Sequence, residues 1–342
     1  LSEHCEEIRT GLSALQRLEE GHRLVHLLEC SRNDAGDIDW SYRQIPIEVS
    51  DLFRRRILEA SHSTVLTSAT LAVAGSFDFI ADRLGLSVAD PAERERRADA
   101  VTTQQLRSPF DFAEQSMVVL TSYLPIPVPV NEVEFCEEVA AEAAGLLSLT
   151  EGRTLSLFAA KSRLESVADH LAEHRDELQK RGVSLLVQGR DAPLEIRRRF
   201  TADEGTALLG LRTYWEGFDA PGRTLSYLQI EKAPYPSPDD PITAARGRAV
   251  SARGGDAFLD YTVPRTAIQL AQGFGRLIRS PQDRGAAFVL DRRMQFPSAA
   301  NEMLLSSLPG AQIHYARDRE DAWTTAIRFV DGAEPDLTQA LA

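Results

Sequence analysis

Gln269-Leu-Ala-Gln-Gly-Phe-Gly-Arg-Leu-Ile-Arg-Ser280 is the stretch on which the reading of this chain turns. Arg276 and Arg279 stand three apart, so a helix through them would aim both at one point. Gly273 and Gly275, just before them, keep the backbone bare and let a partner approach closely. Two guanidinium groups converging beside a thin backbone suit a polyphosphate, because each fork takes two anionic oxygens. The plain alternative is an amphipathic helix with two solvated arginines. Downstream, Asp283-Arg284-Gly285 reads as a turn, and Ala286 to Leu290 reads as a short buried strand ending in Asp291-Arg292-Arg293. A helix presenting arginines, followed by a core strand, predicts an α/β fold.

Gln272-Gly-Phe-Gly-Arg-Leu-Ile-Arg279, with the turn and strand that follow, resembles the last conserved motif of superfamily 2 helicases in its DinG and XPD variant. Trp215-Glu-Gly-Phe-Asp-Ala-Pro-Gly222 is similar to the fifth motif of that group, and Leu66-Thr-Ser-Ala-Thr-Leu71 to the third. The three occur in the family's order, and the resemblance runs from about Pro46 to Arg293. It implies a RecA-like second motor domain, a parallel sheet flanked by helices, preceded by the end of a first motor domain and its arch.

Composition bounds the rest. With 342 residues, 43% of them hydrophobic, the chain buries a sizeable core and divides into more than one domain. A formal net charge of -13 argues against a protein that coats nucleic acid without specificity, yet it leaves room for a local basic groove. Lys161, Lys180 and Lys232 are the only lysines, so arginine carries nearly all the positive charge. Cys5, Cys30 and Cys136 are far apart, a spacing poor for zinc or an iron–sulfur cluster that reads as reduced buried thiols in a cytoplasmic protein. No run approaches a membrane span and no signal peptide opens the chain, so no membrane partner is expected. The start at Leu1 without methionine reads as a fragment or a processed product.

Taken in order, residues 1 to about 30 carry apolar positions at helical spacing, including Leu24, Leu27 and Leu28, and read as an amphipathic helix or hairpin. Asn33 to Asp39 is a polar turn, Trp40 to Val49 a strand, and Ser50-Asp51 the cap of a helix running to about Ala60. Ser63 to Leu66 reads as a short β-branched strand delivering Ser68 and Thr70. Phe77 to Leu84 is a helix stopped by Gly85, and the charge run Ala92 to Arg97 is a solvated face or linker. Strands follow near Met117–Leu120, Thr154–Ala159, Val183–Val187, Ala207–Leu211 and Leu225–Glu231, with helices between them at Asn131–Leu149, from Lys161, and at Ala192–Phe200. Arg246 to Ala267 looks mobile around Gly254-Gly255. After Arg293 come a helix near Ala299–Leu308, an edge strand at Gln312–Tyr315 and a polar tail. The partition is 1–62 for the end of the arch and first motor domain, 63–108 for the third motif and a linker, and 109–342 for the second motor domain.

The candidate residues fall at strand exits, where open α/β sheets bind ligands. The resemblance implies Arg276 and Arg279 as arginine fingers, with Gln272 and Gly273 near the nucleotide. It implies Gly217 for loop clearance, Asp219 for ribose or for bracing the arginines, and Ser68 and Thr70 for coupling nucleotide state to domain movement. Lys161, Ser162, Tyr214 and Trp215 are candidates for a single-stranded DNA track, by phosphate contact and aromatic stacking. Lys161-Ser162-Arg163 also resembles the family's fourth motif. None of the three lysines follows a glycine, so the Gly-Lys-Ser/Thr phosphate loop is missing. Neither Asp176-Glu177 nor Asp203-Glu204 lies where a magnesium-holding pair belongs. ATP and Mg2+ are therefore expected to bind mainly through the helicase's own N-terminal motor domain, with no iron–sulfur cluster in this chain. The alternative is a non-catalytic nucleic-acid-binding or regulatory module derived from a helicase domain.

Overall fold

The computed structural model describes residues 24–32, 36, 38–86, 101–215, 220 and 222–340. Two compact units emerge, one built from described residues within Leu1–Leu71, Ser76–Thr103 and Pro236–Thr262, the other from Ala72–Gly75, Gln104–Tyr235 and Val263–Ala342. Pro236–Thr262 thus packs with the first unit, although the sequence partition places it in the second domain.

In the first unit, β1 (Leu24–Arg32) pairs antiparallel with β2 (Ile38–Pro46), from Leu24 opposite Pro46 to Arg32 opposite Ile38. The helical reading of Leu24, Leu27 and Leu28 is corrected here: they lie on a strand, because β2 offers a complete ladder to the backbone groups of β1, and Cys30 on that strand is exposed rather than buried. The amphipathic reading of residues 1–23 and the charge run Ala92–Arg97 lie outside the described residues. A helix runs Ser50–Phe53 and widens into a π-turn at Arg54–Leu58, but Val49 holds the capping position and no side chain caps it. Ser63–Leu66 is irregular rather than a strand; Val65 is 86% exposed, and among the described residues no strand pairs with it. The helix Asp78–Leu84 stops at Gly85, whose φ of 69° is the left-handed turn that glycine supplies at a helix end. The stretch read as mobile is largely helical, as Pro241–Ala252, where the Asp240 carboxylate accepts the Thr243 N–H at 2.8 Å, and as a π-turn at Phe258–Thr262.

The second unit is organised by strands that turn neither face to solvent. β3 (Ser116–Thr121), β4 (Thr154–Leu157), β6 (Thr206–Gly210), β7 (Tyr227–Ile230) and β8 (Gly285–Val289) are buried along their whole length, while β5 (Ser184–Val187) and β9 (Gln312–Ala316) are partly exposed. Strands covered on both sides belong in a parallel sheet layered by helices, and the order β5-β6-β4-β7-β8-β3-β9 is parallel throughout. β9 lies at one edge, as its alternating sequence predicts. The connecting helices are α1 (Glu132–Thr150), α2 (Lys161–Glu173), α3 (Pro193–Ala202), the single turn α4 (Arg212–Trp215), α5 (Val263–Phe274) and α6 (Ala299–Ser306). This is the RecA-like α/β architecture the motifs imply. Among the described residues no helix is long and apolar enough to cross a membrane.

The expected polar tail is instead α7 (Arg319–Asp331), capped by Asp318 and buried through Ala322, Trp323, Ala326 and Ile327. Its Trp323 lies so close to α1 that a Cβ on Gly145 would overlap the indole ring. Beside it, Trp323 Nε1 donates to Glu142 Oε1 at 2.7 Å and Arg319 Nε to Glu142 Oε2 at 3.0 Å. Glu142 is fully buried, and burial pushes its carboxyl up to about 7 against the pull of Arg319. The folded state therefore holds this proton more tightly than the unfolded chain, whose carboxyl titrates near 4.5. The stabilisation is complete below the unfolded value and is lost as pH rises through about 7. Comparing urea midpoints at pH 5.5 and pH 8, wild type should lose on the order of 1–2 kcal/mol that Glu142→Gln does not lose. Parallel pH slopes for the two proteins would show that the carboxyl does not titrate there.

Candidate functional site

Because the sheet is parallel, the carboxyl ends of β4, β6, β7 and β8 open on one side, and Lys161 and Ser162 follow β4 there while Tyr214 and Trp215 follow β6. The arginine stretch departs from the expected strand exit: Arg276 meets the end of β6 only through Trp215, while the Arg279 loop leads into the amino end of β8 beside Gln115, the residue before β3. α5 ends at Phe274, one residue short of Gly275 and two short of Arg276. Arg276 N–H bonds back to Gly273 O at 3.1 Å and Leu277 N–H to Phe274 O at 3.1 Å, so the last turn tightens before the chain leaves the helix. Leu277 and Ile278 turn into the core, the former against Gly285, where a Cβ would come within 2.8 Å of Leu277 Cδ2. The two arginines are consequently not neighbours on a helix face. Arg276 is half-buried at the helix end and Arg279 is exposed on the following loop.

Arg276 faces the fifth-motif stretch. Its Nη2 donates to Trp215 O at 2.9 Å and its Nε to the same oxygen at 3.2 Å, joining residues 61 positions apart. Trp215 is fully buried, and its ring lies where a side chain on Gly273 would stand, with Cε3 2.7 Å and Cζ3 3.0 Å from an added Cβ. Gly273 therefore admits Trp215, not an outside partner. Among the described residues, the Trp215 indole N–H has no hydrogen-bond partner. Tyr214 is also buried, and Gly210 leaves room for its ring. Neither aromatic is placed to stack on a nucleic-acid base, which corrects the expectation for both: their apolar area fills the gap between β6 and α5. Gly217 and Asp219 lie outside the described residues.

The loop carrying Arg279 is fixed by Asp283. Asp283 Oδ2 accepts the Arg279 N–H at 2.7 Å and the Ser280 N–H at 2.8 Å, and Oδ1 accepts the Ser280 hydroxyl at 2.8 Å. From below, Gln115 Nε2 donates to the carbonyls of Ser280 and Asp283, both at 2.9 Å. The sequence reading took Asp283 only as a turn residue; the signal for more was Ser280 three residues earlier, the spacing at which an Asp closes a side-chain-to-backbone ring. Gln272 is half-buried, without a side-chain hydrogen bond among the described residues.

At the exit of β4, Lys161 and Ser162 are exposed on the first turn of α2, Lys161 in a loose pair with Glu165 at 3.4 Å. Arg163 points the other way. It donates to Glu132 Oε1 and Oε2 at 2.5 and 2.8 Å and also pairs with buried Glu231. Burial alone would lower its pKa, but the two carboxylates reverse this and raise it. The other oxygen of Glu231 accepts the Ala159 N–H at 3.1 Å, so one ion pair ties β7 to the β4 exit. Beside it, Lys232 is half-buried, and burial lowers its pKa although Glu231 opposes this. In the first unit, Ser68 is exposed; its Oγ accepts the Thr70 N–H at 3.2 Å in a local hydroxyl turn.

The packing role of Gly273 has a measurable consequence. Gly273→Ala should cost about 1–3 kcal/mol in urea unfolding, the range for overpacking a filled site. Gly275→Ala should cost less, since its nearest obstacle is Ala271 O at 3.2 Å. Equal losses at the two glycines would contradict the Trp215 contact.

The helicase C-terminal domain family matches residues 144–310. The ATP-dependent helicase DinG of Mycobacterium tuberculosis strain H37Ra is 37% identical over 267 residues, covering 78% of this chain and 37% of that protein. The 3'-5' exonuclease DinG of Bacillus subtilis is 30% identical over 80% of this chain and 28% of its own length. The ATP-dependent DNA helicase YoaA of Escherichia coli is 30% identical over 83% of this chain and 40% of its own. The chain thus spans between about a quarter and two fifths of the length of these relatives. A solved XPD helicase shares the fold, with a TM-score of 0.55 at 16% identity over 81% of this chain and 48% of that one. With motifs, sheet order and relatives in agreement, residues 144–310 match a helicase C-terminal domain, and the chain is similar to DinG-type proteins over about four fifths of its length.

Proposed function

We propose that this chain is the C-terminal half of a DinG/XPD-like ATP-dependent DNA helicase, and that Arg279 is its arginine finger at an ATP site shared with an N-terminal motor domain. The observation that carries this reading is the exposed Arg279 on a loop whose backbone is fixed by Asp283 and Gln115. A guanidinium on a fixed loop is preorganised, which is what stabilisation of developing charge requires. The donor type fits a triphosphate: Arg279 offers a planar cationic fork on an exposed loop. Bound ATP supplies the phosphoryl group whose negative charge spreads during transfer. Arg279 neutralises that charge, and Arg276 braces the loop's base through Trp215. This revises the pair of converging fingers to one finger and one brace. Most of the affinity for ATP, and all of the Mg2+ ligation, come from the N-terminal motor domain, since the chain has no Gly-Lys-Ser/Thr sequence. Ser68 and Thr70 relay nucleotide state, with Asp219 and Gly217 beside the nucleotide. Lys161 and Ser162 take phosphates of single-stranded DNA at the exit of β4, a contact that is indifferent to sequence.

The chain alone should hydrolyse no ATP above background. In the enzyme joined to its N-terminal domain, Arg279→Ala should lower turnover by about 10³ to 10⁵ while nucleotide affinity stays within a few-fold. Arg279→Lys should recover little, because a point charge does not replace a two-pronged donor. Turnover by the chain alone, or an equal loss of binding and turnover in Arg279→Ala, would refute the finger assignment.

A further inference from the structure

Gln188 stands one residue beyond β5, at the end of the sheet where the fifth-motif stretch begins. Its backbone is held firmly. The Val187 N–H donates to Asp191 Oδ2 at 2.7 Å, the Gln188 N–H donates to Leu209 O at 3.0 Å, and Gly189 turns the chain with a φ of 93°. The side chain then reaches across to the exit of β6. The Leu211 N–H donates to Gln188 Oε1 at 2.6 Å, and Gln188 Nε2 donates to Thr213 Oγ1 at 2.9 Å.

A backbone N–H only donates, so the amide oxygen must face Leu211 and the amide nitrogen must face Thr213. Gln188 therefore fixes both position and direction of the segment as it leaves β6. At its far end the same segment is fixed by Arg276 on the Trp215 carbonyl. Residues Leu211–Trp215 are thus clamped at two points, one on the β5 exit and one on the arginine stretch. Between the clamps, Thr213 is exposed.

We infer that Gln188 is a positioning residue for turnover: it holds the Leu211–Trp215 segment in the geometry through which single-strand binding at the sheet edge reaches the arginine loop. Gln188 touches neither nucleotide nor strand in this scheme and acts only through the segment. The inference rests on the helicase reading given above, and the experiment separates the two.

In the enzyme joined to its N-terminal domain, ATPase is measured with and without a single-stranded oligonucleotide. Gln188→Met keeps the length of the side chain and removes both hydrogen bonds. It should lower the strand-stimulated kcat about tenfold, the scale of one lost hydrogen bond. The KM for ATP should stay within about twofold, because ground-state binding lies elsewhere. Thr213→Val removes one bond at an exposed position and should give a smaller loss that Thr213→Ser restores. The double variant should be no worse than Gln188→Met alone, since both remove the same link. An unaltered kcat in Gln188→Met, losses that multiply in the double variant, or a KM that rises as kcat falls would overturn the inference. If Gln188→Met does not fold, the Thr213 pair decides: equal rates in Thr213→Val and wild type would overturn it. A wild type without strand-stimulated ATPase would remove the helicase reading itself. A stimulated wild type, silenced by Arg279→Ala yet indifferent to Gln188→Met, would remove only the role of Gln188.

Discussion

The bond from Arg276 to the carbonyl of Trp215 is the constraint from which the geometry of this edge follows. A cationic donor pair on one carbonyl is a charge-assisted interaction, worth about 1.5–3 kcal/mol when half-buried. It requires the end of α5 and the exit of β6 to be in one place, and Gly273 makes this possible by leaving space for the Trp215 ring. With Trp215 sealed beneath, the chain after Phe274 cannot carry the helix forward and also bury Leu277 and Ile278. It turns down toward β8, and Arg279 is left on the loop that this turn creates. The exposed arginine is thus a product of the half-buried one.

Much of this was legible. The strands of the second unit were readable because runs such as Met117–Leu120 and Ala286–Leu290 have no polar residue to place in water, and that pattern has one solution in an α/β chain. What misled was the assumption that residues three apart share a helix face. Spacing carries direction only while the helix lasts, and Gly275, directly after the last helical residue Phe274, is the stop signal that outweighs it. The aromatic pair Tyr214-Trp215 misled for a related reason. A tryptophan at a strand exit satisfies equally a base-stacking site and a void beside a glycine, and here the glycine sits 58 residues downstream at Gly273. Helix α7 is a different failure. Ala322, Trp323, Ala326 and Ile327 recur at helical intervals after the capping residue Asp318, so the signal was present beneath a charged surface. Ser63–Leu66 shows the converse: β-branched residues favour an extended chain, but a strand exists only where a neighbour accepts its hydrogen bonds.

Charge inside the sheet edge follows the same logic of fixed partners. Glu231 ends a buried strand with 2% of its surface exposed, an arrangement that is costly unless the carboxylate is paired. Arg163 supplies the pair and also holds Glu132, so α1, α2 and β7 meet at one guanidinium. Of the three residues Lys161-Ser162-Arg163, the first two face outward and the third is anchored. That is the arrangement a phosphate contact needs, because an exposed lysine gains little from a partner unless the backbone beneath it is rigid.

The two arginines of the stretch can therefore be ranked by what surrounds them. Arg276 is committed to a backbone carbonyl, a ground-state contact present whether or not a nucleotide is near. Arg279 has its main chain fixed by Asp283 and is exposed, so ordering the loop adds nothing to the cost of using it. Stabilisation that appears only at the transition state must come from a group whose position is set in advance and which a ligand can reach. Of the two positions, the exposed one suits the finger role proposed above, and half-buried Arg276 holds the base of its loop.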